Sequence, residues 1–410
     1  MKVPIGKDAM TIKRCGVFFC GKVRKQRKVG MIMVETKIDF LYLSEQDMID
    51  AGVTDMPGCV RAMEEMFRLL KQGDYRMGGA NGNSHGVMMV FPETSTFPNM
   101  PVDGPDRRFM AMPAYLGGEF DMVGMKWYGS NVDNKKKGLP RSILMLTLND
   151  KDTGAPMAHM SANILSAYRT GAVPGVGVKY FAKEDAKVVG VVGPGVMSKT
   201  ALAATMAVRK SIETVKIKGR SQQALDNFIN YIKEEFPMIK NIEIVEDIES
   251  AVRESDVVIV ATSTPTGDTS LYPYVKEEWI KPGAVICCPA SARFDEDFIV
   301  NRARNVADNI QLYEAWAEEM PYPAYECIPI PAVHCMDLIS SGKMEKGQVD
   351  DLGDVIMGTI PVHRKEDEIV IFSVGGMPIE DVAWGTIVYR NAIQKGIGHS
   401  INLWDTPHLA

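Results

Sequence analysis

Residues 188–198 read Val-Val-Gly-Val-Val-Gly-Pro-Gly-Val-Met-Ser, an apolar run that turns on Gly193 and Gly195 into a helical pattern. The chemistry open to such a turn is anion binding. Gly193 permits the tight bend, and Gly195 lets the backbone approach a pyrophosphate. Ser198 stands where a small residue keeps helix and strand close. The helix start at Val196 and Met197 offers free N–H groups and a positive dipole end. With a strand before it and a helix after it, the turn is read as a dinucleotide site; a plain strand-to-helix turn is the alternative. The next strand ends in Lys218-Gly219-Arg220-Ser221, with no acid to hold a ribose 2′-hydroxyl. Arg220 and Ser221 suit a 2′-phosphate, so NADP(H) is the preferred cofactor and NAD(H) remains possible. A helix-capping Ser221 beside a solvated Arg220 is the other reading. Thr262 and Ser263, after a later apolar strand, form an edge for the dinucleotide or an ordinary turn.

A second group of residues is cationic. Lys126 falls inside a strand pattern with apolar neighbours, where a charge is costly unless it has a partner. Arg169 lies in a helical pattern among Leu165, Ala167, Ala172 and Val173, and Arg76 precedes a long irregular stretch. Cations in half-buried places suggest a pocket for a carboxylate, which the arginine fork grips with two hydrogen bonds. Snorkelling or salt-bridged side chains are the competing reading for each one. The run Lys135-Lys136-Lys137 reads as a solvated loop, and His85 and His159 as structural. Cys287-Cys288 at a strand end reads as core. No Ser/His/Asp or Cys/His spacing suggests a nucleophile, and no metal site is indicated.

Elements must place these groups. From Ala186 onward strand and helix patterns alternate: strands at 187–192, 214–218, 241–245, 256–261, 284–288, 305–307 and 368–372, with helices at 198–210, 222–235 and 248–254 between the first four. That order implies an α/β, Rossmann-type doubly wound parallel sheet with helices on both faces. Before it, a capped segment at Ser44, a helix over 56–70, short strands at 109–112, 122–127 and 142–148, and a helix over 163–181 bent near Pro174 form a second, α+β unit. The stretch 78–106 is too long for an ordinary connection and reads as a lid or insertion. A last helix over 379–395 packs back on the first unit. The expected division is a disordered basic leader (1–34), a substrate and dimerisation domain (35–183, joined by 375–410) and a dinucleotide domain (184–374).

Composition narrows the classes. The chain has 410 residues, 46 % of them hydrophobic and 24 % charged, and a net charge of −6. That is an ordinary globular balance with no run long enough to cross a membrane, so no membrane partner is expected. Nine Lys/Arg fall within residues 1–30 against the single acid Asp8. No aromatic residues interleave them as a nucleic-acid platform requires, so no nucleic-acid partner is expected. Seven scattered cysteines with no ligand spacing indicate a reducing cytoplasm.

Several strings carry a resemblance. They are Met112-Pro-Ala-Tyr115, Lys126-Trp-Tyr-Gly-Ser-Asn131, the Asp-x-x-Thr-Gly-x-Pro of 150–156, the Leu-x-Ala-x-Arg-Thr-x-Ala of 165–172 and Phe372-Ser-Val-Gly-Gly-Met-Pro-Ile-Glu-Asp381. With Met112-Pro-Ala-Tyr115 standing first along the chain, upstream of Lys126, these strings follow the order of the ornithine cyclodeaminase/μ-crystallin family, which they resemble over roughly 40–400. The resemblance implies a homodimer that binds NAD(P) and acts on a small amino or keto acid. It places Lys126 beside the substrate carboxylate as the catalytic residue that polarises the imine nitrogen or carbonyl oxygen, with Arg169 and Arg76 as substrate-binding partners. It also places Ser373, Val374 and Gly375 against the cofactor. The implied reaction is NAD(P)(H)-dependent reduction of an imine or keto acid, or oxidation of an amino acid, at the α-carbon. Cyclisation of ornithine or a related diamino acid with tightly bound NAD is an alternative, and a non-enzymatic NADPH-binding protein a second. Cyclodeaminases of the family carry an acid shortly before Met-Pro and an aspartate after the strand that here ends in Cys287-Cys288. This chain has Met110 near the first place and Pro289-Ala-Ser-Ala292 at the second, with no carboxylate between Glu278 and Asp295. Both departures weigh against ring closure.

Overall fold

A computed structural model describes residues 36–409; the leader at 1–34, with Cys15 and Cys20, lies outside them. The chain folds around two eight-stranded sheets. The first begins with β1 (Ile38–Leu43). Ser44 then caps α1 (Glu45–Asp50): its side chain takes the Asp47 N–H while Asp47 takes the Ser44 N–H. Helix α2 (Met56–Gln72) starts on Asp55 and turns Val60, Met63, Met66, Phe67 and Leu70 inward at helical spacing. Strands β2 (Tyr75–Met77), β3 (Val87–Val90), β4 (Arg108–Leu116), β5 (Met122–Ser130), β6 (Ser142–Asn149) and β7 (Pro156–Ser161) follow. They are ordered β1-β7-β6-β5-β4-β2, with β3 also pairing β4. The stretch 78–106 is therefore not wholly irregular, since Val87 to Val90 run antiparallel to Arg108–Ala111. Four successive apolar residues gave no alternation from which a strand could be told.

Alternation decides what β5 shows to each side. Gly124, Lys126 and Tyr128 are buried under helices, while Met125 and Trp127 are exposed on the opposite face. Helix α3 (Asn163–Phe181) runs through Pro174 without a break and leads to the second sheet.

That sheet is parallel throughout. It uses β8 (Val188–Val192), β9 (Thr214–Lys218), β10 (Asn241–Ile244), β11 (Val257–Val260), β12 (Val285–Cys288), β13 (Arg304–Ala307), β14 (Val349–Asp351) and β15 (Val370–Ser373). Their order is β10-β9-β8-β11-β12-β15-β13-β14, so the strand order reverses between β8 and β11. Ligands of such sheets bind in the crevice at that reversal, beyond the carboxyl ends of the strands. Helices α4 (Val196–Val208), α5 (Gln222–Glu235) and α6 (Ile248–Val252) link the first four strands. Further along lie α7 (Glu296–Asn301), α8 (Ile310–Glu319), α9 (Ala324–Cys327), α10 (Pro331–Ser340) and α11 (Leu352–Met357). Helix α12 (Pro378–Lys395) returns to the first sheet, and β16 (His399–Trp404) closes beside β1.

The two sheets are brought together by α3 lying on α4. A Cβ on Gly171 would stand 2.3 Å from the Cβ of Thr200, and one on Gly175 would stand 2.5 Å from that of Ala204. Only glycine allows these backbones so close. Arg169 lies on α3 two residues before Gly171, whose neighbour Thr200 stands in the second turn of the helix that leaves the glycine turn.

Candidate active site

The glycine turn is built as its sequence requires. Gly193 has φ +92°, in the left-handed region, and a Cβ there would also lie 2.7 Å from the Ala261 carbonyl oxygen. Gly195 caps α4, and no side chain satisfies the first N–H groups of that helix. A Cβ on Gly195 would meet nothing within 4 Å, so the space above the turn is open. The amides of Val196 and Met197 are thus free to meet a phosphate. Ser198 is buried and its hydroxyl donates to the Gly193 carbonyl at 2.5 Å. It ties the turn shut, which is the small residue's part.

Around this turn the other cofactor candidates fall into two sets. Thr262 borders Gly193, and Arg220 Nη2 reaches the Ser263 carbonyl at 3.4 Å across the mouth. Ser221 caps α5 with no side-chain hydrogen bond, so its hydroxyl is free. Ser373, Val374 and Gly375 are differently placed. Ser373 Oγ accepts the Ala332 N–H at 3.0 Å, and the Gly375 N–H is held by Asp308 at 2.7 Å. Their polar groups are largely occupied inside the protein.

The cations are organised by a helix that sequence reading gave no chemical role. Lys126 Nζ lies 2.7 Å from Asp381 Oδ2 and 3.3 Å from Ser166 Oγ. Arg169 donates through Nε to Asp381 Oδ1 at 3.1 Å and through Nη1 to Glu380 Oε2 at 2.6 Å. Both acids stand in the first turn of α12, where the helix dipole favours negative charge. All four side chains are 5 % exposed or less. Two charges of each sign share one buried space, so the cluster is compensated rather than a bare cationic nest. A substrate carboxylate must share Lys126 and Arg169 with acids already there. Arg76 does not join them: it is exposed and donates to the Gly73 and Tyr75 carbonyls.

Burial sets the protonation states. It lowers Lys126 to about 8, aided by Arg169 and opposed by Asp381. It raises Glu380 to about 7 against the pull of Arg169. Arg169 resists its burial because Asp381 and Glu380 hold its charge, and it titrates above the usual guanidinium range. Asp308, at the end of β13, is raised to about 6 by burial while accepting from Tyr313 Oη and the Gly375 and Gly376 amides.

His85, read from sequence as structural and partnerless, lies at this cluster. Its Nδ1 is 2.7 Å from the Gly376 carbonyl oxygen, and its ring leans on Trp316 at 5.5 Å. Burial and then the charge of Lys126 lower it to about 4. A signal existed, a histidine within an unusual stretch, but its partner is 291 residues away in the chain. His159 has a partner too, Thr147 Oγ1 at 2.9 Å. Cys287 and Cys288 are buried free thiols, and burial raises both. Among the described residues no His, Cys, Asp and Glu gather as a metal would need.

Comparison with known proteins was made against this geometry. The model of the ornithine cyclodeaminase/mu-crystallin family matches residues 53–396. The chain is 29 % identical over 299 residues to the N-((2S)-2-amino-2-carboxyethyl)-L-glutamate dehydrogenase of Staphylococcus aureus, covering 72 % of this chain and 82 % of that one. It is 27 % identical over 372 residues to the alanine dehydrogenase of Archaeoglobus fulgidus, covering 90 % and 99 %. An archaeal alanine dehydrogenase dimer with bound NAD superimposes with a TM-score of 0.71 at 26 % identity, over 90 % of this chain and 100 % of that one.

Proposed function

The chain belongs to the ornithine cyclodeaminase/mu-crystallin family, and from that premise we propose a nicotinamide-dependent oxidoreductase acting at the α-carbon of an amino acid or its imine or keto-acid counterpart. One observation carries the reading. Lys126 and Arg169 are held as a buried pair by Asp381, and Arg169 stands on α3, the helix packed closely on the one that follows the glycine turn. Val196, Met197, Gly195 and Thr262 fit a dinucleotide, which when bound supplies or accepts the hydride. Lys126 and Arg169 bind the carboxylate and so orient the α-carbon. Glu380 and Asp381 fix the rotamers of both cations. Arg76 is not assigned a part in this.

The finer cofactor choice rests on Arg220, exposed at the end of β9 with a free Ser221 hydroxyl beside it. We assign NADP(H) as the preferred form and NAD(H) as an accepted one. Arg220→Ala is expected to weaken NADPH more than NADH by about 1.5–3 kcal/mol, the loss of a charged hydrogen bond. Equal weakening in a fluorescence titration contradicts this. A cytoplasmic setting suits the five free cysteines among the described residues, where no helix is long and apolar enough to cross a membrane.

The test of the reaction follows absorbance of the reduced nicotinamide with purified protein. Keto acids with amines and cyclic imino acids are offered with NADPH or NADH, and amino acids with the oxidised forms. Net coenzyme turnover supports the oxidoreductase. Ammonia release from ornithine with no net coenzyme change contradicts it in favour of cyclisation. Tight coenzyme binding with no turnover contradicts any enzymatic role.

A further inference from the structure

We propose that His85 reads the substrate's nitrogen: its Nε2 accepts a hydrogen bond from an N–H of an amine or iminium, so the site prefers nitrogen at the α-carbon to a keto or hydroxy oxygen. This deepens the oxidoreductase reading and rests on it.

The tautomer follows from the partner. The Gly376 carbonyl can only accept, so the His85 nitrogen 2.7 Å away, Nδ1, carries the hydrogen. In the neutral ring Nε2 is then a lone pair, and no described residue donates to it. The anchor is itself rigid. Asp308 accepts from both the Gly375 and Gly376 amides, at 2.7 and 3.3 Å, and Tyr313 Oη donates to the same carboxylate. The ring is steadied by Trp316.

His85 is also tied to the carboxylate site through this glycine. A Cβ on Gly376 would stand 2.8 Å from Arg169 Nη1, so the carbonyl that orients His85 belongs to the residue packed on the arginine. Burial acts first on the ring, and the cations Lys126, Arg169 and Arg108 act in the same direction. They keep a proton off Nε2 and leave it an acceptor.

A carboxylate shared by Lys126 and Arg169 brings the α-carbon and its substituent toward this acceptor. An ammonium or iminium N–H satisfies it. A keto oxygen offers only lone pairs, which repel Nε2 and leave it without a donor.

Calorimetry with NADH saturating the full-length protein tests this without turnover. Two ligands are compared, the amino acid that is best turned over (or, failing turnover, L-alanine) and its desamino carboxylate. His85→Asn keeps an N–H near the Nδ1 position for Gly376 and removes Nε2; His85→Ala removes both. Both variants are expected to weaken the amino acid about 10- to 100-fold and the desamino acid less than about twofold, with NADH affinity kept. A structural role predicts that His85→Asn behaves as wild type. That result, equal weakening of both ligands, or a wild type that does not prefer the amino acid overturns the proposal. Absence of any coenzyme turnover by wild type overturns the oxidoreductase reading separately, while the binding comparison still decides His85.

Discussion

At the scale of single residues, the centre of the site is Asp381, which holds Lys126 with one oxygen and Arg169 with the other. Removing one partner of a buried charge network leaves the rest uncompensated. Asp381→Asn is expected to lower unfolding free energy by about 3–5 kcal/mol, read from urea denaturation. A change below about 1 kcal/mol would place these charges in water rather than in the interior. Lys126 gives a pH dependence with a definite sign. Its folded value is about 8, so it is charged below that pH and loses its charge above it. Affinity for a carboxylate ligand is therefore expected to fall as pH rises through about 8, and Lys126→Arg to abolish that fall, because guanidinium keeps its proton. An unchanged profile in Lys126→Arg contradicts the assignment. Lys126 and Arg169 were visible in the sequence because charge inside an apolar pattern stands out. Glu380 and Asp381 were not, because acids at a helix start are ordinary in any chain and their partners are 211 and 255 residues away.

At the scale of elements, the meeting of α3 with α4 decides how the helix that carries Arg169 lies on the helix that follows the glycine turn. Gly175→Ala places a methyl against Ala204 and is expected to cost about 1–3 kcal/mol by overpacking. Adding Ala204→Gly should restore most of that, and a double variant no better than the single one contradicts the close contact. The alternating strands and helices of the parallel sheet were legible because each strand is a buried apolar run closed by a turn. Strands β1, β2, β3, β7, β14 and β16 were missed. Strands β2 and β14 have three residues each, and β16 is exposed along its length, so neither alternation nor apolarity marks it. The helix over 163–181 was expected to be interrupted or bent at Pro174-Gly175, and the interruption is absent. It continues as one helix, with Pro174 and the glycines around it buried against neighbouring elements.

At the scale of the whole molecule, the outer face of the first sheet is apolar and open. Met125, Trp127, Ile143, Met145, Ile401 and Leu403 are each between 37 % and 48 % exposed on strands β5, β6 and β16. Contiguous apolar patches of this kind on a folded chain mark an interface. We propose that a second copy covers it. Sedimentation is expected to give twice the monomer mass, and Trp127→Asp with Met145→Lys to give the monomer. A wild-type monomer at micromolar concentration contradicts the dimer.

The central claim concerns where a hydrogen goes. Coenzyme carrying deuterium at the transferable position of nicotinamide C4 can be incubated with the imine substrate, and the product analysed by mass spectrometry. The account expects deuterium on the product's α-carbon with wild type, and none with Lys126→Met. Product formed without the label, while the coenzyme keeps it, would contradict the account.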